Sequence, residues 1–131
     1  MVDRRQFLQA GALAAGMAAL PGVQARTQGG AKVVSTWDFG VPANQAAWKV
    51  LAQGGSALDA VEAGARWAES ELCNPTVGHC GNPDRDGVLS LDASIMDGDG
   101  RCGAVAALVD ILHPVSVARK VMENSPHVLL V

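Results

Sequence analysis

Leu89-Ser90-Leu91-Asp92-Ala93-Ser94-Ile95-Met96, followed by Asp97-Gly98-Asp99-Gly100 and then by Cys102 to Leu108, sets the fold class of this chain. Leu89, Leu91, Ala93 and Ile95 alternate with Ser90, Asp92, Ser94 and Met96, the period-two pattern of a strand buried more on one face than the other. The Asp-Gly-Asp-Gly run is a strong turn signal. It lets residues 102–108 return antiparallel, so the stretch predicts a hairpin.

Downstream, Pro114 suits the first turn of a helix running to about Asn124, with Val117, Ala118, Val121 and Met122 facing inward. The chain then closes on His127-Val128-Leu129-Leu130-Val131, which reads as a strand interrupted in progress. An unpaired strand of that composition invites aggregation, so the expectation is a truncated rather than a designed end.

Upstream, Asn74 to Gly87 is rich in Gly, Pro, Asn and Asp and predicts a long loop, of the kind that more often carries function than not. Before it come two helices. Ala43, Ala46, Ala47, Val50 and Leu51 recur at helical spacing between Ala43 and Gln53, and Gly54-Gly55 closes that element. Ser56, with Asp59 three residues on, opens the second helix like a capping box. Its predicted apolar stripe is Leu58, Val61, Ala65, Ala68 and Leu72, and Glu62 stands one turn ahead of Arg66 in the favourable order. Two helices joined by so short a turn must pack as neighbours. Lys32-Val33-Val34-Ser35-Thr36, ending at Trp37, is a β-favouring run. Strands and paired helices kept apart along the chain favour a layered α+β fold.

The first residues read differently. Asp3-Arg4-Arg5-Gln6-Phe7-Leu8-Gln9 precedes an Ala/Gly-rich run from Ala10 to Leu20, a pattern that resembles a bacterial twin-arginine signal, with a small-residue cleavage site at Val23-Gln24-Ala25. An amphipathic N-terminal helix is the plainer alternative. The apolar run is too short to span a bilayer, so no stable membrane anchor is expected. Such export carries folded proteins, to the periplasm or outside the cell. Removing residues 1–25 leaves eight basic against twelve acidic residues, a net charge of −4 where the full chain has −3. That balance gives no support for a nucleic-acid partner.

Cys73, Cys80 and Cys102 are the only cysteines. An oxidising compartment permits one disulfide and one spare thiol, though small buried or loop cysteines are the plainer reading. Cys73, His79 and Cys80 fit no standard zinc spacing, so no metal is expected. Asp84-Arg85-Asp86 reads as a solvated loop with local ion pairs, and His113 and His127 as structural.

Five segments together resemble the glycosylasparaginase family of N-terminal-nucleophile hydrolases: Val34-Ser35-Thr36-Trp37-Asp38-Phe39-Gly40; Ala47 to Leu51 with Gly54 to Glu62; Thr76 to Gly87; Leu91 to Asp97; and Val117 to Glu123. They stand in family order and at family-like spacing. The resemblance implies an αββα four-layer sandwich, here incomplete, built from α and β subunits cut from one precursor. It implies a threonine freed at the new N-terminus, whose hydroxyl attacks the side-chain amide of N-acetylglucosaminyl-asparagine while its own amine acts as base. No cofactor or metal is implied. Implied partners are the small amide substrate, the β-subunit part of the same precursor, and further copies of the complete protein. The family nucleophile sits in a His-Asp-Thr-Ile-Gly-like stretch, and Thr27, Thr36 and Thr76 match no such context, so this chain alone is expected to be inactive.

Three residues carry over as substrate-binding. Trp37 matches the tryptophan at the mouth of the family site, although its type alone suggests a core residue. Phe39 is a neighbouring wall residue or, equally, core. Thr76 stands where relatives place a hydroxyl near the active centre, or is a loop threonine holding its own backbone. His79-Cys80 departs from the family pattern of an aromatic or apolar residue followed by glycine. The rival readings are an isoaspartyl peptidase or L-asparaginase of the same superfamily, disfavoured by Ser35-Thr36-Trp37, and a non-catalytic exported remnant.

Overall fold

Ser56 halts the chain between two helices and starts the second. Its hydroxyl accepts the Asp59 N–H at 3.1 Å and its own N–H donates to the Asp59 carboxylate at 3.2 Å, so the capping box is complete. This is seen in a computed structural model that describes residues 30–131; the export signal read over residues 1–25 lies outside them. Helix α1 (Gly40–Ala52) ends just before. The Gly55 and Gly54 N–H groups close back on the Val50 and Leu51 carbonyls, each at 3.0 Å, and Gly54 adopts φ +82°. That pair of bonds is a Schellman closure, and the left-handed residue it needs is the glycine supplied.

Helix α2 (Ala57–Ser70) lies against α1 along a seam of small residues. Ala43 and Ala47 are buried on one side, Ala60, Gly64 and Ala68 on the other. A Cβ at Gly64 would come within 3.0 Å of the Ala43 carbonyl oxygen, so the backbones approach closely. The stripe read from sequence is therefore corrected: Val61 is exposed, Leu72 is half-buried, and Ala60 and Gly64 take the inward positions. Packing two helices this tightly selects small side chains over large apolar ones.

The hairpin forms as expected. Strand β1 (Leu91–Met96) pairs antiparallel with β2 (Cys102–Leu108), from Met96 opposite Cys102 to Leu91 opposite Leu108. Asp97 organises the turn, its carboxylate accepting the N–H groups of Asp99 and Arg101 and the Arg101 guanidinium. A bulge interrupts the register between Leu91 and Ala93, and there Ala107 at φ +55° donates its N–H to the Asp92 carboxylate. Helix α3 (Pro114–Asn124) opens on its proline and packs across both strands. Ile95, Val105, Val115, Ala118 and Val121 form the buried core; Val117, expected inside, is half-buried and Val115 takes its place. Strand β3 (Leu129–Leu130) then pairs parallel to β2, giving the order β1-β2-β3. Helices packed with this small sheet agree with the α+β class.

Lys32–Thr36 is a second correction. It joins no strand; within it the Ser35 hydroxyl hydrogen-bonds the Asn44 side chain of α1. A β-favouring run becomes a strand only where a ladder partner is present, and none lies beside it among the described residues.

A third correction concerns Glu62, which does not pair with Arg66. It accepts from Ser116 and Arg119 of α3 instead, while Arg119 also reaches Asp59 and Glu123. Burial alone would raise the Glu62 carboxyl, but these hydrogen bonds hold it below its ordinary value. Asp59 is lowered from 3.8 to about 2, first by the Ser56 hydroxyl and then by Arg119. A carboxyl depressed in the fold stabilises it above its unfolded pKa, and that contribution disappears as pH falls through the folded one. Thermal stability is therefore expected to decline between about pH 4 and pH 2, with a shallower slope in Asp59→Asn. Melting curves across that range check it; parallel slopes would remove Asp59 from the account.

Candidate active site

Trp37 is placed by a tight turn at the entry to α1. Its carbonyl accepts the Gly40 N–H at 2.8 Å, and the Asp38 carboxylate accepts the Phe39 N–H at 2.8 Å. Gly40 is required there, because a Cβ would lie 2.3 Å from that of Ser35. The turn leaves Trp37 69% exposed and Phe39 half-buried. Both line a cavity of about 270 Å³ that is also lined by the small-residue seam of α1 and α2 and by Val61. That position explains why Val61 turns away from the core.

An exposed tryptophan beside an apolar hollow suits a ligand with an apolar face and a polar end. A larger hollow of about 790 Å³ lies around Val41 and Trp48 and shares Val33, Val34 and Asn44 with the first. It includes neither Trp37 nor Phe39.

Thr76 is not brought to the Trp37 cavity. It is exposed in a separate hollow of about 340 Å³, with Glu69, Gly78, Asp92 and Pro114. Its N–H and hydroxyl both donate to the Asn74 side-chain oxygen, at 2.8 and 2.6 Å. With its only proton committed to Asn74, the hydroxyl has acceptor capacity alone to offer an incoming group.

Glu69 went unread in the sequence. It is a buried acid near the end of α2 whose carboxylate accepts the Val115 N–H at 3.0 Å and lies 3.3 Å from His113 Nδ1. Burial raises its pKa, against the pull of those two partners. In effect the side chain caps α3 from a different helix. Only tertiary structure makes that bond, so no local pattern announces it. His113, read as structural, is thus tied to this cap.

The loop over Asn74 to Gly87 is present, with one 3₁₀ turn at Gly78–Cys80. Gly78, at φ +71°, carries the left-handed conformation, and Cys80 does not. Cys73 and Cys80 form a disulfide and Cys102 is free. Among the described residues no three His, Cys, Asp or Glu side chains gather as a metal site, and no helix is long and apolar enough to cross a membrane. Arg85 and Asp86 pair at 3.5 Å in solvent, as a solvated loop should.

Comparison with known proteins bears on this geometry. The chain is 56% identical over 99 residues to an N(4)-(beta-N-acetylglucosaminyl)-L-asparaginase of Elizabethkingia miricola, covering 76% of this chain and 29% of that protein. It is 52% identical over 100 residues to the protein of that name from Rattus norvegicus, with the same coverage. A probable isoaspartyl peptidase/L-asparaginase 3 of Arabidopsis thaliana is 42% identical over 99 residues, covering 75% of this chain and 27% of that protein. The chain thus spans under a third of the length of these relatives. A twin-arginine translocation pathway signal sequence matches residues 1–21. The family described as Asparaginase matches residues 21–131, the whole of the described structure included, and the chain belongs to that family.

Proposed function

We propose that this chain is the N-terminal portion of an exported amidohydrolase that cleaves the β-amide of N-acetylglucosaminyl-asparagine to aspartate and a glycosylamine. The observation that carries the reading is the Trp37 indole, held open over an apolar cavity in a chain so similar to proteins bearing that name. The residues here bind and orient: Trp37 and Phe39 flank the substrate from one hollow, and Thr76 offers a hydrogen-bond acceptor from its separate one.

The nucleophile comes from a polypeptide segment outside this sequence. A threonine hydroxyl is a weak nucleophile and needs a base, which the family obtains from the threonine's own free α-amine. Thr36 and Thr76 are internal, with their amines locked in peptide bonds. Attack forms an acyl-enzyme that water then releases as aspartate, each tetrahedral intermediate being stabilised by an oxyanion hole. The complete protein forms the four-layer αββα sandwich and assembles as a homo-oligomer in the periplasm or outside the cell.

A second reading, an isoaspartyl peptidase or L-asparaginase, is favoured by the likeness to the Arabidopsis protein. Grafting residues 31–131 in place of the matching segment of the Elizabethkingia protein separates the two. The graft is expected to release aspartate from N-acetylglucosaminyl-asparagine at least about tenfold faster than from β-aspartyl dipeptides at equal concentration. The reverse preference would support the second reading, and a folded but inactive graft neither.

A further inference from the structure

The turn that carries Thr76 is fastened at both ends. Cys73 and Cys80, seven positions apart, are bonded with their Cα atoms 5.1 Å apart. Between them Asn74 holds Thr76 by two hydrogen bonds and accepts the Val77 N–H on its carbonyl. We infer that the Cys73–Cys80 bond is a clamp that closes only after export and fixes the Thr76 turn in its working shape.

Two observations support the inference. The first is the twin-arginine signal at residues 1–21. Cargo of that pathway folds in the cytoplasm, where thiols are kept reduced, so the cysteines cross as a folded pair of thiols. The second is that contacts other than the bond also fasten the loop around the pair. Gly78 sits so close to the Glu69 carbonyl that a Cβ would lie 2.1 Å from its oxygen. His79 Nδ1 reaches that same carbonyl at 3.1 Å, and the Asn82 N–H donates to the Pro75 carbonyl at 3.0 Å. The Cα separation of 5.1 Å is an ordinary one for a disulfide, so the bond fits the loop that these contacts shape. Cys73 is exposed and Cys80 half-buried, so the bond lies near the surface of the loop.

The oxidant is a dithiol–disulfide exchange protein in its disulfide form. One cysteine thiolate attacks a sulfur of that disulfide, giving a mixed disulfide. The second thiolate then attacks the chain's sulfur and expels the oxidant as a dithiol. Two electrons pass to the oxidant, and the two cysteines give up two protons. The relevance of the clamp to catalysis rests on the role proposed for Thr76. Neither readout below involves substrate, so its failure and the failure of that role are distinguishable.

The full chain is expressed with its own signal, alongside an Arg4→Lys/Arg5→Lys variant retained inside the cell. Each is denatured in excess maleimide and weighed. The exported chain is expected to carry one adduct, at Cys102, and the retained chain three. Three adducts on the exported chain, or one on the retained chain, would overturn the inference. Hydrogen exchange is then followed in the exported chain before and after gentle reduction. The Thr76 and Asn82 amides are expected to exchange at least about tenfold faster on reduction, while the Ala104 amide, bonded to Val128 in the sheet, does not change. Unaltered exchange at Thr76, or equal loss of protection at Ala104, would contradict a local clamp.

Discussion

Gly103→Ala is expected to destabilise the fold by about 3 kcal/mol or more, lowering the melting temperature by roughly 10–20 °C. A Cβ at this position in β2 would lie 2.2 Å from the Ala118 carbonyl oxygen and 2.6 Å from the Met122 backbone nitrogen. Neither atom can rotate away, because both belong to the backbone of α3. The helix must lift from the sheet, and the contact it would open is the one that buries Ala118, Val121 and Val105. Gly98→Ala, in the hairpin turn with nothing within 4 Å, is the matched control and should shift stability by no more than about 0.5 kcal/mol. Thermal unfolding followed by circular dichroism compares them. Equal melting temperatures would show that α3 does not sit on β2 as described.

Gly78→Ala is expected to be nearly as damaging, by two effects that add. The position has φ +71°, a conformation that costs an L-residue roughly 1–2 kcal/mol. The added methyl would also lie 2.1 Å from the Glu69 carbonyl oxygen, so the loop must swing away from α2. Together these should cost about 3 kcal/mol. The displacement strikes the turn that orients Thr76 and the contact that seats His79, so the loop amides should lose protection before the hairpin amides do. Uniform loss across the chain would instead make Gly78 a general packing residue. Protection unchanged from the parent would remove the Glu69 contact altogether.

These two glycines mark where the sequence could and could not be read. Local devices were legible, because their partners lie within a few positions: the Ser56–Asp59 box, the Gly54-Gly55 closure, Pro114 and the Asp97–Gly100 turn. What depends on distant backbone was not. Gly64 and Gly103 look like weak spots in a helix and a strand until the opposing carbonyls are known. Glu69 looks like a surface acid on an amphipathic helix, yet it caps α3 forty-six positions away. Lys32–Thr36 has the composition of a strand and lacks a partner to pair with.

The site divides the same way. Trp37 and Phe39 are named as candidates through resemblance alone, and the structure gathers both at one cavity. Thr76 was named by the same route, but it lines a different hollow, together with Glu69. Composition alone pointed to none of the three. An indole reads as core unless a turn such as Trp37–Gly40 holds it outward, and that turn depends on the fit of Gly40 against Ser35.

In the proposed function the Trp37 cavity is one wall of an amide-hydrolysing pocket. Its most direct test is kcat/KM for N-acetylglucosaminyl-asparagine in the Elizabethkingia graft, with and without Trp37→Ala. Loss of the indole's apolar contact should lower kcat/KM about tenfold or more while the melting temperature stays within roughly 2 °C, because the side chain is largely outside the core. Activity unchanged by the substitution, in a folded and active graft, would show that the Trp37 cavity is not part of the substrate pocket.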